Sequence, residues 1–300
     1  MTGPPSPGPG SARATLSHSV GEGQPGPSPA LGREREGPGA EGRAGDGATA
    51  SALALETRGL CKSFGALTVA SEIDFRLEAG ARHALIGPNG AGKTTFVNLV
   101  TGALAPSRGR VLLGGEDVTA LPQARRVKRG LARTFQINTL FRGLSVLENV
   151  ALAIGERRGV AGELFRPAGR RSGVAEEAYA ALERLGIAGE ASRLVRELPY
   201  GRQRLVEIAV ALGLEPKVLL LDEPAAGVPG AESGIIVETI ESLPKEIAVL
   251  IIEHDMDLVF RVARRITVLV QGSVLVEGTP EEIAADPRVR EVYLGEREPG

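Results

Sequence analysis

The chain has 300 residues, of which 42% are hydrophobic and 24% charged, with a net charge of −2; this length allows one substantial core with room for a subdomain. The near-neutral balance argues against a nucleic-acid-binding protein that depends on a strongly basic surface. A single cysteine, Cys61, excludes internal disulfides and a cysteine-based zinc site, and no apolar run reaches the roughly 20 residues that a membrane-spanning helix needs.

Residues 1–50 differ in composition from the rest of the chain. They contain 8 of the 20 prolines and 12 of the 40 glycines, and no aromatic residue. Because such a segment buries too little apolar surface to offset its ordering entropy, we expect a disordered tail. It lacks the continuous apolar stretch of a secretory signal, and its acidic residues are atypical of a transit peptide. We interpret it as a spacer or as the product of a start codon assigned too early.

From Leu53 onward, short apolar runs alternate with longer amphipathic ones, which is typical of an α/β domain. The continuous apolar character of several short runs indicates strands that are buried on both faces, as in a parallel sheet. The predicted strands are HALIG (83–87), VLLLD (218–222), AVLIIEH (248–254) and ITVLV (266–270).

The first of these strands runs directly into GPNGAGKTT (87–95), which fits the phosphate-binding pattern G-x-x-x-x-G-K-[ST] and leads into a predicted helix from Thr94 to Gly102. Glycines let consecutive backbone N–H groups surround phosphate oxygens, and a helix N-terminus adds positive potential. We expect Lys93 to contact the β- and γ-phosphates of ATP and Thr94 to ligate Mg²⁺. The predicted nucleotide contacts in this loop are Gly87, Asn89, Gly90, Gly92, Lys93, Thr94 and Thr95.

Two shorter motifs follow the phosphate-binding pattern along the chain. Gln136 in ARTFQ has a neutral side chain able to hold Mg²⁺ or water and to report whether the γ-phosphate is bound. The stretch ELPYGRQR (197–204) precedes an apolar helical pattern, Leu205 to Leu212, and is typical of a phosphate-contacting turn except for one residue. Pro199 occupies the place of a hydroxyl-bearing residue there.

Two later strands deliver polar residues to their carboxyl ends, where ligands of open parallel sheets bind. The strand VLLLD ends at Asp222, which is suited to hold Mg²⁺, and the adjacent Glu223 is suited to orient or deprotonate an attacking water. His254 closes AVLIIEH in the same way and is a candidate for hydrogen-bonding the γ-phosphate. A structural histidine is the alternative interpretation.

The order of these motifs resembles that of the ATP-binding-cassette (ABC) ATPase subunits, and the resemblance covers about residues 53–295. It implies an α/β P-loop NTPase core with a mostly parallel sheet and an N-terminal antiparallel β portion. The implied ATPase domain spans 51–295, with a helical subdomain inserted at about 137–212 and a short tail at 296–300. Several segments are similar to those of the branched-chain amino-acid importer ATPases, and urea and short-amide importers share most of them: RTFQINTLFRGLSVLENV, YGRQRLVEIAVAL, VEGTPEEI and VREVYLG.

The resemblance also implies residue roles, ligands and partners. Phe64 matches the aromatic residue that stacks on adenine, and Gln136 matches the glutamine that precedes the helical subdomain. The signature turn that meets the ATP of a second ATPase subunit corresponds to Tyr200, Gly201 and Arg202. The implied ligands are ATP and Mg²⁺. The implied partners are permease subunits at the cytoplasmic face of the membrane, a second ABC ATPase subunit and, indirectly, a solute-binding protein, with no nucleic acid.

Both elements that the family presents to a partner's ATP depart here from the usual pattern. Members typically carry L-S-x-G-Q, whereas this chain has Pro199 for the serine and Arg202 for the glutamine. After DEPAAG, Val228–Pro229 replace a leucine and a polar residue. Losing the contact of one serine hydroxyl with the partner's ATP costs about 1–3 kcal/mol in a desolvated site. The elements that act on the chain's own nucleotide are intact. We therefore hypothesise an asymmetric heterodimer with one slow site.

The alternatives are that both changes are tolerated, or that the chain is a partly degenerate regulatory subunit. A translation or DNA-maintenance ATPase of the same superfamily would need a second cassette or a long coiled coil. A small-molecule kinase would lack the signature turn and the context of His254. The transported solute is not readable from an ATPase subunit that never contacts it.

Overall fold

The computed structural model describes residues 52–134, 140–160 and 173–294. The predicted N-terminal tail (1–50), Gln136 and the C-terminal tail (296–300) lie outside the described residues. The strands are β1 (Leu53–Phe64), β2 (Leu67–Glu78), β3 (Arg82–Ile86), β4 (Arg108–Leu113), β5 (Glu116–Asp117), β6 (Leu131–Arg133), β7 (Val218–Asp222), β8 (Ala248–Ile252), β9 (Arg265–Val270) and β10 (Ser273–Gly278).

The helices follow the same numbering in chain order, and no helix of the described ranges is both long and apolar enough to cross a membrane. They are α1 (Lys93–Thr101), α2 (Gln123–Val127), α3 (Val146–Arg157), α4 (Val174–Arg184), α5 (Tyr200–Gly213), α6 (Gly230–Ser242), α7 (Met256–Val262), α8 (Pro280–Ala285) and α9 (Pro287–Leu294). The last of these contains most of the segment VREVYLG.

The main sheet is six-stranded, in the order β10-β9-β3-β8-β7-β6. All neighbours pair in parallel except β9 and β10, which form an antiparallel edge. Every residue of β7 and β8 is buried, because both faces of a parallel sheet are covered. The predicted mostly parallel α/β core is confirmed.

The predicted strand AVLIIEH was too long at its carboxyl end, because β8 stops at Ile252 and not at His254. The Glu253 carboxylate accepts hydrogen bonds from the backbone N–H groups of His254 and Asp255. Those two N–H groups are therefore turned toward a side chain instead of continuing the strand ladder.

The smaller sheet is antiparallel, in the order β2-β1-β4-β5, as the N-terminal β portion was predicted to be. Along β2, buried Ile73, Phe75 and Leu77 alternate with exposed residues, so that one face packs on the core. The Phe75 ring lies 5.4 Å from the ring of Phe96 on α1, in an edge-to-face arrangement. This contact fastens the small sheet to the helix that follows the phosphate-binding loop.

The carboxyl end of α1 is held by a buried arginine. Arg126 is 1% exposed, and its guanidinium donates to the carbonyl oxygens of Leu99 and Val100 at the end of α1 and to those of Thr119 and Leu121. These carbonyls lie at the carboxyl end of α1 or in the segment before α2. A fixed cation donates hydrogen bonds to them and is favourable at the negative end of the helix dipole.

Helices α3, α4 and α5 share one apolar cluster. Its members include Val150 and Ile154 of α3, Leu182 of α4 and Leu205 of α5, all fully buried. The amino end of α3 carries a capping box between Ser145 and Glu148, which fixes where the helix begins. These helices fall within the predicted helical subdomain at about 137–212, whose limits remain a prediction.

One buried histidine is built into the main sheet. His83 on β3 is 1% exposed, and its Nε2 lies 2.8 Å from the hydroxyl of Thr267 on β9. Its ring also packs on Phe75 at 4.8 Å. Burial lowers the pKa of His83 from 6.5 to about 4, although the nearby Glu277 carboxylate opposes the shift. The imidazole is therefore neutral in the folded protein at neutral pH.

We predict that His83 makes folding stability depend on pH. Between pH 6.5 and about 4 the unfolded chain binds a proton at His83 that the folded chain does not. The free energy of unfolding must therefore fall as the pH is lowered, by up to about 1.4 kcal/mol per pH unit from this residue. Urea unfolding at pH 7, 6 and 5 measures the slope. We expect a shallower slope in His83→Gln, and equal slopes would contradict the prediction.

Candidate functional site

The register of the parallel strands brings three loops to one edge of the main sheet. Leu85 near the end of β3 pairs with Ile252, the last residue of β8, and Ile252 pairs in turn with Asp222, the last residue of β7. The segments that follow these strands are Gly87–Gly92, Glu223–Ala225 and Glu253–Asp255, so all three predicted motifs begin at the same edge.

The loop after β3 has three glycines at positive φ, Gly87, Gly90 and Gly92, and at two of them a side chain would also meet a neighbouring strand. Gly87 has a φ of 154°, and a Cβ at this position would lie 2.2 Å from the Leu269 carbonyl oxygen. Gly92 has a φ of 100° and its Cβ would meet the Val69 carbonyl oxygen at 3.0 Å. Glycine therefore allows the loop to curl tightly against β2 and β9 before α1 begins.

The amino end of α1 presents positive potential to the concave side of this loop. Its first residue is Lys93, and its first turn contains no acidic residue. The Lys93 ammonium donates to the carbonyl oxygens of Gly87 and Pro88, so the side chain lies back over the loop. The N–H groups of a first helical turn together with a lysine form an anion-binding site suited to phosphate.

A cleft of about 490 Å³ opens above this loop. It brings together seven predicted site residues: Asn89, Gly90, Gly92, Lys93, Thr94, Thr95 and Glu223. The remaining lining comes from Ala91, from the start of β2 (Leu67, Thr68, Val69) and from the turn between β9 and β10 (Gln271, Gly272). The Gly272 N–H donates to the Ala91 carbonyl at 2.9 Å, so this turn supports the phosphate-binding loop.

Asp222 is buried at the end of β7, is not among the described residues that line the cleft, and has a cationic partner. Its carboxylate is 4% exposed, and its Oδ2 accepts a hydrogen bond from the Arg133 guanidinium at 2.5 Å. Arg133, at the end of β6, also donates to the Asn98 side chain on α1 at 2.9 Å. One guanidinium thus connects β6, β7 and the phosphate-loop helix, and it compensates a charge that would be costly to bury alone.

Glu223 adopts a left-handed backbone conformation, with a φ of 48°. Such a conformation is uncommon for a residue with a side chain, and it persists only where surrounding contacts hold it. The Glu223 N–H donates to the Ile252 carbonyl at 2.8 Å, which supplies one such contact. The turn directs the chain out of β7 and brings Glu223 into the lining of the cleft.

His254 lies at the same sheet edge, but it is not among the described residues that line the cleft. Its side chain is 67% exposed, and its Nδ1 is 3.7 Å from the Glu253 carboxylate. Glu253 itself is 1% exposed. Helix α7 begins directly afterwards, with Asp255 as its N-cap.

Phe64 lies at the tip of the hairpin formed by β1 and β2. Its ring is 54% exposed, and the Lys62 ammonium lies 4.9 Å from the ring centroid. Phe64 pairs across the hairpin with Leu67, which lines the cleft. The predicted adenine-stacking residue is therefore exposed beside the cleft.

The signature residues Tyr200, Gly201 and Arg202 form the first turn of α5, with Pro199 as an N-cap that makes no side-chain hydrogen bond. They are not among the described residues that line the cleft above the chain's own phosphate-binding loop. Arg202 Nε lies 3.7 Å from the carboxylate of Glu190, which partly neutralises it.

The start of α5 is braced by a buried network. The Arg204 guanidinium donates to the Tyr200 hydroxyl at 2.6 Å and to the Glu207 carboxylate at 2.8 Å. Arg204 and Glu207 are each 4% exposed, and burial raises the pKa of Glu207 while Arg204 opposes the shift. This pair fixes the orientation of the Tyr200 ring.

The two departures from the family pattern are neighbours in space. A Cβ on Gly227 would lie 3.2 Å from Cε1 of Tyr200, so the turn after β7 packs on the signature turn. Pro229 then caps α6 as Pro199 caps α5, in both cases without a side-chain hydrogen bond. The two prolines therefore belong to one surface.

The donors available for Mg²⁺ are oxygen atoms, as that ion prefers. No group of three or more His, Cys, Asp or Glu side chains in the described part of the chain is arranged to hold a metal on its own. The hydroxyl of Thr94 at the start of α1 and the carboxylate of Asp222 fit a Mg²⁺ that is otherwise bound by phosphate and water. Gln136, the third predicted metal ligand, lies outside the described residues.

Sequence reasoning missed Arg133, Glu253 and the turn at Gln271. The first two are charged residues that adjoin apolar strands and stand one to three positions from a predicted site residue. Their position could have marked them as site residues, because a charged side chain at the end of a buried strand needs an ionic partner or a functional role. Nothing local to the sequence marks the turn at Gln271, which reaches the cleft only through tertiary structure.

Comparison with known proteins gives matches over most of the chain. Residues 70–226 match the ABC transporter family, and residues 273–299 match the family described as branched-chain amino acid ATP-binding cassette transporter. The high-affinity branched-chain amino acid transport ATP-binding protein BraF of Pseudomonas aeruginosa is 39% identical, covering 81% of this chain and 98% of its own length. LivG of Escherichia coli, with the same description, is 40% identical over the same shares.

Solved structures agree with these relatives. A crystal structure of an ATP-binding cassette of an ABC transporter in its ADP conformation superposes with a TM-score of 0.72 at 32% identity. It covers 81% of this chain and 99% of that cassette. The phosphate-binding loop, the strand-end carboxylates and these comparisons lead to one conclusion: the chain belongs to the ABC transporter family and is a nucleotide-binding ATPase cassette.

Proposed function

We propose that this chain is the ATP-hydrolysing subunit of a membrane importer for branched-chain or other hydrophobic amino acids. The observation that carries the proposal is the similarity to BraF and LivG over 98% of their length. The match of residues 273–299 to a branched-chain amino acid cassette family supports it independently, since that segment lies outside residues 70–226, which match the general ABC transporter family. Urea and short-amide importers remain the alternative substrate class.

The chain's own residues divide the work of hydrolysis. The N–H groups of the loop Gly87–Gly92 and the Lys93 ammonium bind and orient the phosphates, as the positive amino end of α1 favours. Glu223, which lines the cleft, orients the attacking water and accepts its proton. His254 and Gln136 contact the γ-phosphate or its ligands, and Phe64 stacks on adenine.

Mg²⁺ would be held by Thr94 and Asp222, partly through water, with Gln136 as a further ligand. The ion neutralises charge on the β- and γ-phosphates when bound. The pair of Arg133 and Asp222 is important here, because the Arg133 guanidinium, 2.5 Å from Asp222 Oδ2, holds the Asp222 carboxylate in place at the end of β7. Asn98 holds the other side of the same guanidinium.

A groove of about 230 Å³ between β6 and the helical layer is the proposed docking site for the permease. Leu140, Phe141 and Leu152 contribute apolar lining, and the Phe141 side chain is 62% exposed. Arg133 lines the same groove while it ion-pairs with Asp222. A membrane protein that fills the groove therefore contacts a residue bound directly to the nucleotide site. Such docking would locate the subunit at the cytoplasmic face of the membrane.

The second ATPase subunit of the complex is proposed to be a different chain. The contact of Tyr200 with Gly227 supports this, because it joins the two altered elements, Pro199 and Val228–Pro229, into one surface. The surface offered to the partner's ATP is altered, whereas the residues that act on the chain's own ATP are intact. This combination favours a heterodimer with one slow site. A solute-binding protein would act on the permease and not on this chain.

We predict that Glu223→Gln lowers kcat for ATP hydrolysis by about 100-fold or more while nucleotide still binds, because the amide cannot accept a proton. Phosphate release and binding of a fluorescent ATP analogue measure the two effects. Glu215→Gln is the matched control, since Glu215 has a similar φ of 50° and lies outside the cleft. Retained hydrolysis in Glu223→Gln would contradict the assigned role.

We predict that Pro199→Ser raises the ATPase rate of the chain on its own by about 5- to 150-fold, because a hydroxyl is restored at both sites of a homodimer. Mixed with its natural partner ATPase, the same variant should change the rate about twofold at most, since one site is already active. Pro122→Ser, at another proline N-cap, is the control. Identical rates of wild type and Pro199→Ser in both settings would show that Pro199 is merely tolerated.

We predict that the transported solutes are branched-chain amino acids, as the names of BraF and LivG indicate for those relatives. The chain is reconstituted in liposomes with its permease, partner ATPase and solute-binding protein, and ATPase activity is measured with leucine, isoleucine, valine, urea or acetamide outside. Stimulation by the three amino acids and not by urea or acetamide is expected, and it should disappear in Glu223→Gln. Stimulation by urea or acetamide alone would overturn the amino-acid assignment and leave the ATPase assignment intact.

A further inference from the structure

We propose that Glu253 is a positioning residue that ties the turn after β7 to the loop after β8, so that Glu223 and His254 move as one unit. The inference rests on the proposed ATPase function, because that function gives Glu223 and His254 their roles. Glu253 itself is not among the described residues that line the cleft, and it accepts hydrogen bonds from backbone N–H groups on both sides.

The Glu253 carboxylate lies between the two loops and accepts from both. Its Oε1 accepts a hydrogen bond from the Ala225 N–H at 3.1 Å. Its Oε2 accepts from the His254 N–H at 3.0 Å and from the Asp255 N–H at 3.4 Å. With 1% of the residue exposed, water does not compete for these donors. One oxygen therefore serves each loop.

A backbone hydrogen bond reinforces the link. The Glu223 N–H donates to the Ile252 carbonyl at 2.8 Å. Glu223 is thus bonded to Ile252, and Ala225 is bonded to Glu253, the residue that follows Ile252. The left-handed φ of 48° at Glu223 lies between these two attachments, which is the arrangement that holds an uncommon backbone conformation in place.

The chemistry of the link requires a carboxylate. All three partners of Glu253 are N–H donors, and only an ionised carboxylate offers acceptors on both arms. Hydrogen bonds from backbone N–H groups to an ionised acceptor are stronger than those between neutral groups. A glutamine would present its NH₂ group to one of the loops. Because an NH₂ group cannot accept a hydrogen bond, that attachment would be lost and two donors would face each other.

The consequence is a mechanical connection between the chain's own site and the surface it offers to a partner. His254 is exposed and precedes the N-cap of α7, so it can shift with that loop. Through Glu253, a shift of His254 displaces Ala225, and the chain then runs within two residues to Gly227, which packs on Tyr200. Glu253 would thus transmit the position of the γ-phosphate-contacting loop to the signature surface.

The test combines amide hydrogen exchange with kinetics on the full chain, using Glu253→Gln and the control Glu246→Gln. Glu246 is an exposed glutamate just before the other end of β8. In Glu253→Gln we expect faster exchange at Ala225 or at His254 and Asp255, with other amides of the sheet unchanged. We also expect kcat to fall between about 10- and 100-fold with KM for ATP within about twofold, because Lys93 and its loop are untouched.

If these three amides exchange at the wild-type rate, the proposed link through Glu253 is overturned, whatever the ATPase activity. Faster exchange throughout the sheet would also overturn it, because it would assign Glu253 a general role in stability. If Glu253→Gln does not fold, Glu253→Asp keeps the charge with a shorter reach and should free one of the two loops in the same experiment. A wild-type chain that hydrolyses no ATP with any partner would refute the proposed function, and the exchange result would still stand by itself.

Discussion

The structure depends on the parallel register of β3, β8, β7 and β6. Parallel pairing points the carboxyl ends of these strands at one sheet edge. Because β7 and β8 are packed on both faces, a one-residue shift would move every side chain to the opposite face and disrupt close packing there. The phosphate-binding loop, Glu223 and His254 each follow one of these strands. Their proximity is therefore a property of the sheet, and the loops need only short segments to complete the site.

Charges buried at that edge hold the loops in their conformations. Arg133 compensates Asp222 and reaches Asn98 on α1, while Glu253 gathers N–H groups from two loops. Buried ionised groups are costly unless every partner is present, so each such group fixes the geometry around it more strictly than an apolar contact would. Arg204 and Glu207 likewise pair with each other at the start of α5, where Arg204 also donates to Tyr200.

The sequence predicted the elements whose signal is local. The apolar runs of β7 and β8 and the glycine pattern before Lys93 depend on neighbouring residues alone, and the structure has these strands and this helix within one or two residues. The end of β8 was misplaced because the His254 and Asp255 N–H groups turn toward the Glu253 carboxylate, which also accepts from Ala225, a residue 28 positions away in another loop. Likewise, Arg133 and the turn at Gln271 reach the site only through tertiary contacts. Gln136 lies outside the described residues, and its role stays a prediction.

The central claim is that the loops at this edge form one nucleotide site, with phosphates on the loop before α1 and the reacting end facing Glu223. A crystal structure of the chain with Mg²⁺ and a non-hydrolysable ATP analogue tests it most directly. We expect the phosphates against Gly87–Thr95, the ion at Thr94 and Asp222, and the adenine against Phe64. Phosphates bound elsewhere, or an ion that contacts neither Thr94 nor Asp222, would contradict the claim.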